Sequence, residues 1–271
     1  MTVSRKATWS LRIVALLYLT VLLLLPLVVV FGKTFEHGLI YAWTWMTTPA
    51  AISALWLTLL VAVIAVPLNT IFGVGAALVI VRGKGRARKA LDAFIDLPFL
   101  VSPVIIGLAL ILVYGKDGWF GDWFTSHGIQ IIYAVPGMVM ATIFVSLPFV
   151  VREVAPVLIE VGDEQEQAAA TLGASGWQTF WRVTLPSIRW GVAYGVVLTT
   201  ARALGEIGAV LVVSSNVAGS TLTLPLLVYQ RYSQIGAGSI PGAYAAATEL
   251  AVLSLLVLLV MTVLAPRKDD A

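Results

Sequence analysis

The sequence predicts an all-α integral membrane protein. Of its 271 residues, 59% are hydrophobic and only 11% are charged, and the mean hydropathy is +0.96. A soluble globular domain carries about 25% charged residues and roughly half apolar residues. Apolar stretches of about 20 residues, which is long enough to cross a bilayer, recur along the chain. We therefore expect a single transmembrane domain over residues 1–271, with six membrane-spanning helices.

Six apolar stretches are the predicted spans. They cover residues 11–31, 52–81, 93–114, 131–151, 188–213 and 242–264. The first is too long and leucine-rich for a cleaved signal peptide and has no clear small-residue cleavage site, so we retain it as a span. Pro98 and Pro103 predict a break or kink in the third span. Polar and aromatic connectors are predicted at 36–49, 115–130 and 214–241.

Lys and Arg are distributed unevenly between the two sides of these spans. Thirteen lie in the N-terminal segment, the first short loop, the long central loop and the C-terminal tail. Three lie on the opposite side, namely Lys33, Lys116 and Arg231. Cytoplasmic segments of membrane proteins carry the excess of positive charge. Both termini and the loops 82–92 and 152–187 are therefore predicted to be cytoplasmic.

The residue composition excludes several kinds of site. There is no Cys, and the two histidines, His37 and His127, are well separated, so we expect no disulfide, metal site or catalytic cluster. The net charge of +3 follows membrane topology and predicts no nucleic-acid partner. Gly83-Lys84 is the nearest match to a phosphate-binding loop, but the first glycine of that motif would fall at Leu78. We expect no cofactor in this chain.

The central loop contains a polar segment unlike the rest of the chain, residues 163–186. Asp163 and Glu166 have capping-box spacing, which predicts the start of a helix of about two to three turns. Gly173 and Gly176 allow the chain to leave the helical conformation. Aromatic residues then alternate with polar ones, which is typical of a segment at the membrane surface. This pattern predicts a short cytoplasmic helix joined to the membrane domain.

The same segment resembles the EAA loop of ABC importer permeases, whose pattern is Glu-Ala-Ala, three residues, Gly, nine residues, Ile, one residue and Leu-Pro. The matching residues are Gln167, Ala168, Ala169, Gly173, Val183, Leu185 and Pro186. Gln replaces the first Glu, with Glu166 beside it, and Val replaces Ile, so the spacing is intact. The span layout and residues 202–209, Arg-Ala-Leu-Gly-Glu-Ile-Gly-Ala, resemble sulfate/thiosulfate permeases of the CysW type, with molybdate permeases as close relatives. The resemblance covers nearly the whole chain.

This resemblance implies a type I ABC importer permease with six spans and a cytoplasmic coupling helix that docks in a groove of an ATPase. It assigns ATPase coupling to Glu166, Gln167, Ala168, Ala169, Gly173, Leu185 and Pro186. It implies a non-enzymatic pore subunit in the plasma membrane that translocates sulfate or thiosulfate. The implied partners are a second, related but non-identical permease chain, two cytosolic ATPase subunits that bind ATP and Mg²⁺, and an extracytoplasmic sulfate-binding protein. A homodimeric molybdate or tungstate permease is the alternative.

Two charged residues lie four positions apart in the fifth predicted span. Because they are four residues apart, Arg202 and Glu206 are expected on one helix face. Charges inside a membrane usually pair or face a water-filled interior. We favour a structural ion pair, and a lining of the permeation path is the alternative. Gly191 and Gly195 have the GxxxG spacing that permits close helix contacts.

Two other classes of function stay open. An ion-coupled secondary transporter would need no docking helix and would respond to an ion gradient. A membrane-embedded enzyme would bring Asp, His or Ser side chains together at one depth, and the isolated histidines do not suggest such a set.

Overall fold

The computed structural model describes residues 5–234, 236 and 239–264, which form helices and connecting segments without a strand. The first helix, α1, runs from Arg5–Leu19 through a π-helical segment, Thr20–Leu24, into Leu25–Phe35. The C-terminal tail, predicted to be cytoplasmic, lies outside the described residues. The next helices are α2 (Leu39–Met46), α3 (Pro49–Arg82), α4 (Arg86–Leu100), α5 (Pro103–Tyr114), α6 (Gly121–Ser126) and α7 (Val135–Val161).

The second half of the chain begins with two short helices after α7. These are α8 (Glu164–Thr171) and α9, which starts as Gly176–Thr179 and continues through a π-helical segment, Phe180–Thr184, into Leu185–Ser187. The remaining helices are α10 (Arg189–Leu204), α11 (Gly208–Val213), α12 (Leu224–Ser233) and α13 (Ser239–Leu264).

Val150 of α7 is fully buried where α7 meets α3 and α10. A Cβ atom at Gly73 of α3 would lie 2.6 Å from the Val150 Cβ, and one at Gly195 of α10 would lie 2.9 Å from the Val150 Cα. Glycine permits these close approaches because it has no Cβ. Asn69 of α3 also donates a hydrogen bond of 2.8 Å to Ser146 Oγ of α7. Helices α3, α7 and α10 therefore form a tightly packed unit.

The third predicted span, 93–114, is two helices with an angle of 112° between them. α4 ends at Leu100, and α5 begins at Pro103 with Ser102 as its N-cap residue. Proline has no N–H and disfavours a helical conformation in the residue before it. The predicted break is confirmed at Pro103, whereas Pro98 lies inside α4.

The fifth predicted span, 188–213, is also interrupted, and the expectation of one continuous helix there was wrong. α10 ends at Leu204 and α11 begins at Gly208. Glu206 lies between them, and its Oε1 accepts a hydrogen bond of 2.8 Å from the Ala209 N–H. Because a side chain supplies an acceptor at the start of α11, the break leaves fewer backbone groups unpaired. The flanking glycines also have low helix propensity.

Helix length and composition identify four candidate membrane-crossing helices among the described residues. They are Arg12–Phe35, Pro49–Arg82, Val135–Val161 and Ser239–Val263. The bent pair α4 and α5 is a fifth candidate if it counts as one span. α10 and α11 have 16 and 6 residues, so neither reaches the length of about 20 residues that crosses a bilayer unbroken. The count of six spans is not confirmed and stays a prediction.

All three predicted connectors contain helices, and the fourth span is longer than expected. α2 lies within 36–49, α6 lies within 115–130, and α12 lies within 214–241. α7 continues to Val161, past the charged residue that was taken to mark the end of the fourth span. That residue, Arg152, pairs with Asp96 of α4 at 2.6 Å. Arg152 therefore does not end α7, because Asp96 of the neighbouring helix α4 supplies its counter-charge.

Arginine side chains hold both ends of α3. At its start, Arg231 Nη2 donates to Thr48 Oγ1 at 2.8 Å, and Nη1 donates to the carbonyl of Gly242 at 2.9 Å. The Arg231 Cζ atom also lies 5.3 Å from the centroid of the Trp45 ring. At the other end, Arg82 contacts the segment after α7. The start of α3, α12 and the start of α13 thus share one end of the domain, and α8 lies at the other.

Reporter fusions test which end of the domain faces the cytoplasm. We expect a cytoplasmic signal from fusions at Gly85 and Gly176 and an extracytoplasmic signal from fusions at Ser126 and Ser239, because positive charge is concentrated on the former side. Paired alkaline phosphatase and fluorescent-protein fusions give opposite readouts for the two sides. The opposite signal at any one of these four sites would overturn the six-span topology.

Candidate coupling surface and intramembrane ion pair

α8 begins after Gly162, which has a φ of +70°. The predicted capping box at its start is wrong, because the Asp163 side chain makes no capping hydrogen bond. The Glu166 side chain is engaged elsewhere: its Oε2 accepts from Arg82 Nε at 3.1 Å, and its Oε1 accepts from Thr184 Oγ1 at 2.8 Å. The spacing correctly predicted a helix start, but the acidic side chain found stronger partners in the fold.

The contacts of Glu166 join three elements of the structure. Arg82 is the last residue of α3, and Thr184 lies in α9 and is buried. Arg82 Nη2 also donates to the carbonyl of Gly162, which immediately precedes the start of α8. α8 is therefore held against the end of α3 by one guanidinium group and against α9 by one hydroxyl group. We call this set of contacts, made by Arg82, Gly162, Glu166 and Thr184, the Glu166 tether.

Sequence reasoning identified Glu166 but not its partners. Arg82 was counted only as one of several basic residues after the second predicted span, and Thr184 was passed over in the EAA-like pattern. A basic residue in the last turn of a long apolar helix was the available signal for Arg82, since such a residue often pairs at the membrane surface. The structure thus assigns Glu166 contacts within the chain, whereas the resemblance assigned it to the ATPase surface.

Gly173 ends α8 in a conformation that favours glycine. Its φ is +85°, and the neighbouring Ala174 N–H donates to the carbonyl of Ala169 at 3.0 Å. A positive φ at this place is typical of a helix C-terminus. A Cβ at Gly173 would meet no atom of the chain within 4 Å, so the constraint there is the backbone conformation and not space. Gly176, in contrast, begins α9 without a positive φ.

The aromatic part of the loop is helical, which the sequence analysis did not assign, and its location at the membrane surface stays a prediction. Trp177 and Trp181 lie one turn apart in α9, with ring centroids 5.5 Å from each other. They are 71% and 50% exposed, while Phe180 is half-buried. The spacing i, i+3, i+4 of these three residues is helical, and it was the signal that the sequence interpretation missed. A capping box between Ser175 and Gln178 starts this helix.

The outer side of α8 and α9 forms an open groove of about 640 Å³. Ala168, Ala169 and Leu172 line one side of the groove, and Pro186 lines the other. Leu172 is 88% exposed, and Gln167 is also exposed. Small alanine side chains and one protruding leucine permit close approach of another surface. The groove residues and Gln167 are the part of the EAA-like segment that can contact a partner, while Leu185 is half-buried.

Arg202 and Glu206 form an ion pair across the break between α10 and α11. Arg202 Nη1 lies 2.6 Å from Glu206 Oε2. The Glu206 side chain is 1% exposed, whereas the Arg202 side chain is 31% exposed. The predicted contact is therefore present, although only Arg202 lies in a helix. One carboxylate thus pairs with Arg202 and caps the following helix through Ala209.

The interruptions of the third and fifth predicted spans lie against each other. A Cβ at Gly208 would lie 2.9 Å from the Pro103 Cβ, and one at Gly107 of α5 would lie 2.8 Å from the carbonyl oxygen of Ala209. α5 and α11 are therefore in close contact just after their respective breaks. Broken helices packed in this way are typical of sites where transport proteins contact their substrates.

The fold and sequence agree with a known transport family. Residues 69–270 match the family described as "Binding-protein-dependent transport system inner membrane component". The chain belongs to this family. Its members are membrane subunits by that description, which agrees with the apolar helices of this chain and with a mostly helical fold.

Similar proteins extend the match over almost the whole chain. A "Sulfate transport system permease protein CysW" from Synechocystis is 51% identical over 262 residues, covering 97% of this chain and 94% of that protein. The protein of the same name from Escherichia coli K12 is 43% identical, covering 97% and 89%. A "Sulfate transport system permease protein CysT" from Synechocystis is 38% identical, covering 93% and 87%.

A solved structure supports the fold independently. One chain of a crystal structure of a bacterial ABC transporter involved in the import of the acidic polysaccharide alginate superposes with a TM-score of 0.79. The match covers 95% of this chain and 94% of that chain at 18% sequence identity. At this identity the match identifies the ABC permease fold and not the substrate.

The Glu166 tether predicts a local effect of substitution. Glu166→Ala removes the acceptor for Arg82 and Thr184, and we expect α8 to open more readily by about 1 kcal/mol, which is roughly a fivefold increase in hydrogen exchange of its amides. Hydrogen exchange of the purified protein, followed by mass spectrometry of peptides from 162–175, measures this change.

Glu164→Ala is the matched control, because Glu164 lies in the same helical turn and its side chain is exposed. It should leave exchange in α8 nearly unchanged. Arg82→Ala should have an effect similar to that of Glu166→Ala, and the double variant should add little to either, since the two residues share one interaction. Equal exchange in the Glu164 and Glu166 variants would show that the tether does not hold α8.

Proposed function

We propose that this chain is one of two pore-forming subunits of an ATP-driven importer of sulfate and thiosulfate. The observation that carries the proposal is the 51% identity to a sulfate permease over 97% of the chain. At that identity the similarity extends over nearly the whole membrane domain and is not limited to the fold. The chain itself supplies the pathway, and a separate subunit supplies hydrolysis of ATP bound with Mg²⁺.

The second pore subunit is proposed to be a related but non-identical permease chain. Proteins named CysW and CysT, two kinds of sulfate permease, are both similar to this chain, at 51% and 38% identity in the same cyanobacterium. This supports a pair of different chains. An extracytoplasmic sulfate-binding protein is the proposed source of substrate, by analogy with the alginate transporter, whose crystal structure includes a periplasmic protein.

Two cytosolic ATPase subunits are proposed to act on the pore through α8, one on each permease chain. The outer groove, with Ala168, Ala169 and Leu172, is the docking surface. The Glu166 tether links that surface directly to the end of α3. α3 packs against α7 around Val150, so a displacement of α8 would move the centre of the membrane domain. In this proposal Glu166 transmits motion, and Gln167 and the alanines contact the ATPase.

The proposed importer spans the plasma membrane six times in each permease chain, with both termini cytoplasmic. The bent pair α4–α5 and the interrupted pair α10–α11 are proposed as the third and fifth spans. The close contact between α5 and α11, just after their respective breaks, supports this assignment.

A homodimeric molybdate or tungstate permease is the alternative within the family. Tetrahedral oxyanions of similar size and equal charge differ little in the hydrogen bonds that they accept, so selection among them belongs to the binding protein. An ion-coupled secondary transporter is a different class, and the exposed groove on α8 has no role in such a mechanism.

Uptake measurements test the substrate. We expect cells that depend on this chain to take up labelled sulfate, with competition by excess thiosulfate and much weaker competition by molybdate. Cells without the chain should show no such uptake, and abolishing the proton gradient at constant ATP should leave uptake intact. Preferential competition by molybdate would favour the alternative substrate, and dependence on an ion gradient at constant ATP would contradict an ABC importer.

Substitution at Gly173 tests the coupling role of α8. Gly173→Ala should cost about 1 kcal/mol locally because the backbone has a positive φ. Gly173→Asp adds a charged side chain at the docking surface, and we expect normal insertion but loss of uptake, with loss of ATPase binding or of substrate-stimulated hydrolysis. Ala169→Asp should behave alike. Co-purified ATPase, hydrolysis and vesicle uptake are the measurements.

Gly176→Ala is the matched control for Gly173→Ala. Gly176 lies in the same loop without a positive φ, and a Cβ there would meet no atom within 4 Å. Uptake by this variant should stay close to that of the unaltered chain. Gln178→Ala would not serve as the control, because it would remove a side chain that forms the capping box with Ser175 at the start of α9. Full uptake and stoichiometric ATPase recovery with Gly173→Asp would remove the coupling role.

A further inference from the structure

A pocket of about 290 Å³ lies at the bend between α4 and α5. Seven of its nine lining residues are apolar, including Phe99 and Phe149, whose rings meet edge to face with centroids 5.5 Å apart. Arg202 and Ser102 are the two polar lining residues, and polar atoms form more than half of the accessible wall. A pocket in which a few polar groups converge is a form that small-ligand sites take.

The Arg202 side chain has more N–H donors than its contact with Glu206 uses. A guanidinium group carries five N–H donors, and Nη1 is the group that approaches Glu206. The side chain is 31% exposed and borders the pocket, while its partner carboxylate is almost fully buried. Arg202 can therefore keep its contact with Glu206 and present other N–H groups to an anion. Planar N–H pairs of this kind match two oxygens of a tetrahedral oxyanion.

The amino end of α5 opens on the same pocket. Ser102 is its N-cap residue and is exposed, and its hydroxyl makes no capping hydrogen bond. The helix has 12 residues, so its first turn carries the partial positive charge of a full helix. Arg202 from α10 and the start of α5 thus favour negative charge here, and the carboxyl end of α4, whose last residues line the same pocket, partly offsets them.

We propose that Arg202, Ser102 and the amino end of α5 form a transient binding station for a tetrahedral oxyanion on its way through the membrane. The inference rests on the proposed import function and names where the substrate is contacted. Glu206 offsets the charge of Arg202, so the site attracts an anion without holding it tightly. A weak site suits a pathway, because conduction requires release as well as entry.

The surroundings of Arg202 argue that this face meets water and not lipid. A charged group exposed to the hydrocarbon core of a bilayer costs at least about 2.5 kcal/mol. Arg202 lies within the fifth predicted span, and its partly exposed side chain borders an open pocket. The exposed edge of the guanidinium group is therefore accounted for by an aqueous pathway along this side of α10 and the α4–α5 bend.

Cysteine labelling in the complete importer tests the station. The chain contains no Cys, so Ser102→Cys introduces one thiol into it. The reagents are two methanethiosulfonates, an anionic sulfonatoethyl and a cationic trimethylammonioethyl compound, applied to the importer in proteoliposomes. We expect the anionic reagent to be favoured, and sulfate to slow labelling when the binding protein and ATP are present. Ser126→Cys in α6 is the control, with neither effect.

A paired substitution separates anion attraction from folding. Arg202→Gln together with Glu206→Gln removes both charges and keeps an oxygen acceptor for Ala209, so the buried carboxylate is not left unpaired. In the Ser102→Cys background, the ratio of anionic to cationic labelling should fall by about fivefold. Although the net charge is unchanged, the lost positive charge borders the pocket, whereas the lost carboxylate is buried and does not line it. Assembly with the other subunits, measured by co-purification, should be retained.

Three outcomes overturn the station: Ser102→Cys does not react in any nucleotide state, the oxyanion that the importer moves gives no protection, or the reagent ratio is unchanged by the paired substitution. The first would mean that another chain covers the pocket. Uptake by the unaltered importer is measured in parallel. If that importer moves molybdate and not sulfate, and molybdate protects the thiol, the station is supported and the sulfate assignment fails.

Discussion

The membrane domain depends on one carboxylate, that of Glu206. Its Oε1 accepts the amide of Ala209 at the start of α11, and its Oε2 lies 2.6 Å from Arg202 at the end of α10. Backbone groups inside a membrane have no water to bond, so an interrupted helix is stable only where side chains or neighbours replace the missing partners. Glu206 supplies both a cap and a counter-charge. These two contacts explain how the interruption of the predicted fifth span is stabilised.

Close packing connects this break to the far end of the molecule. α10 contacts α7 where Gly195 meets Val150, and α3 contacts the same valine through Gly73. α3 then ends at Arg82, whose guanidinium group holds Glu166. A continuous path of packed helices thus runs from the α10–α11 break to the groove on α8. Packed interfaces shift between discrete arrangements and do not deform gradually, which suits the transmission of motion.

The predicted cytoplasmic segment contains a helix where one was expected, one local contact was wrong, and its coupling role stays a prediction. The EAA-like spacing identified α8, and Gly173 has the positive φ that its position required. Capping by Asp163 was the local expectation, but Glu166 is bound to Arg82 and Thr184, which are 84 and 18 residues away in sequence. Local pattern rules compare neighbours in sequence, and they give no information about a guanidinium group brought close by folding.

What the sequence by itself determined is the membrane class, the positions of most long helices and the break at Pro103, because hydropathy and the missing N–H of proline act locally. The EAA-like segment and the overall match also identified the family. Tertiary structure alone decided that the fifth predicted span is interrupted, that Glu166 faces the chain, and that Arg202 and Ser102 border one pocket. These features depend on contacts between distant segments, whose distances are set by helix packing and not by sequence spacing.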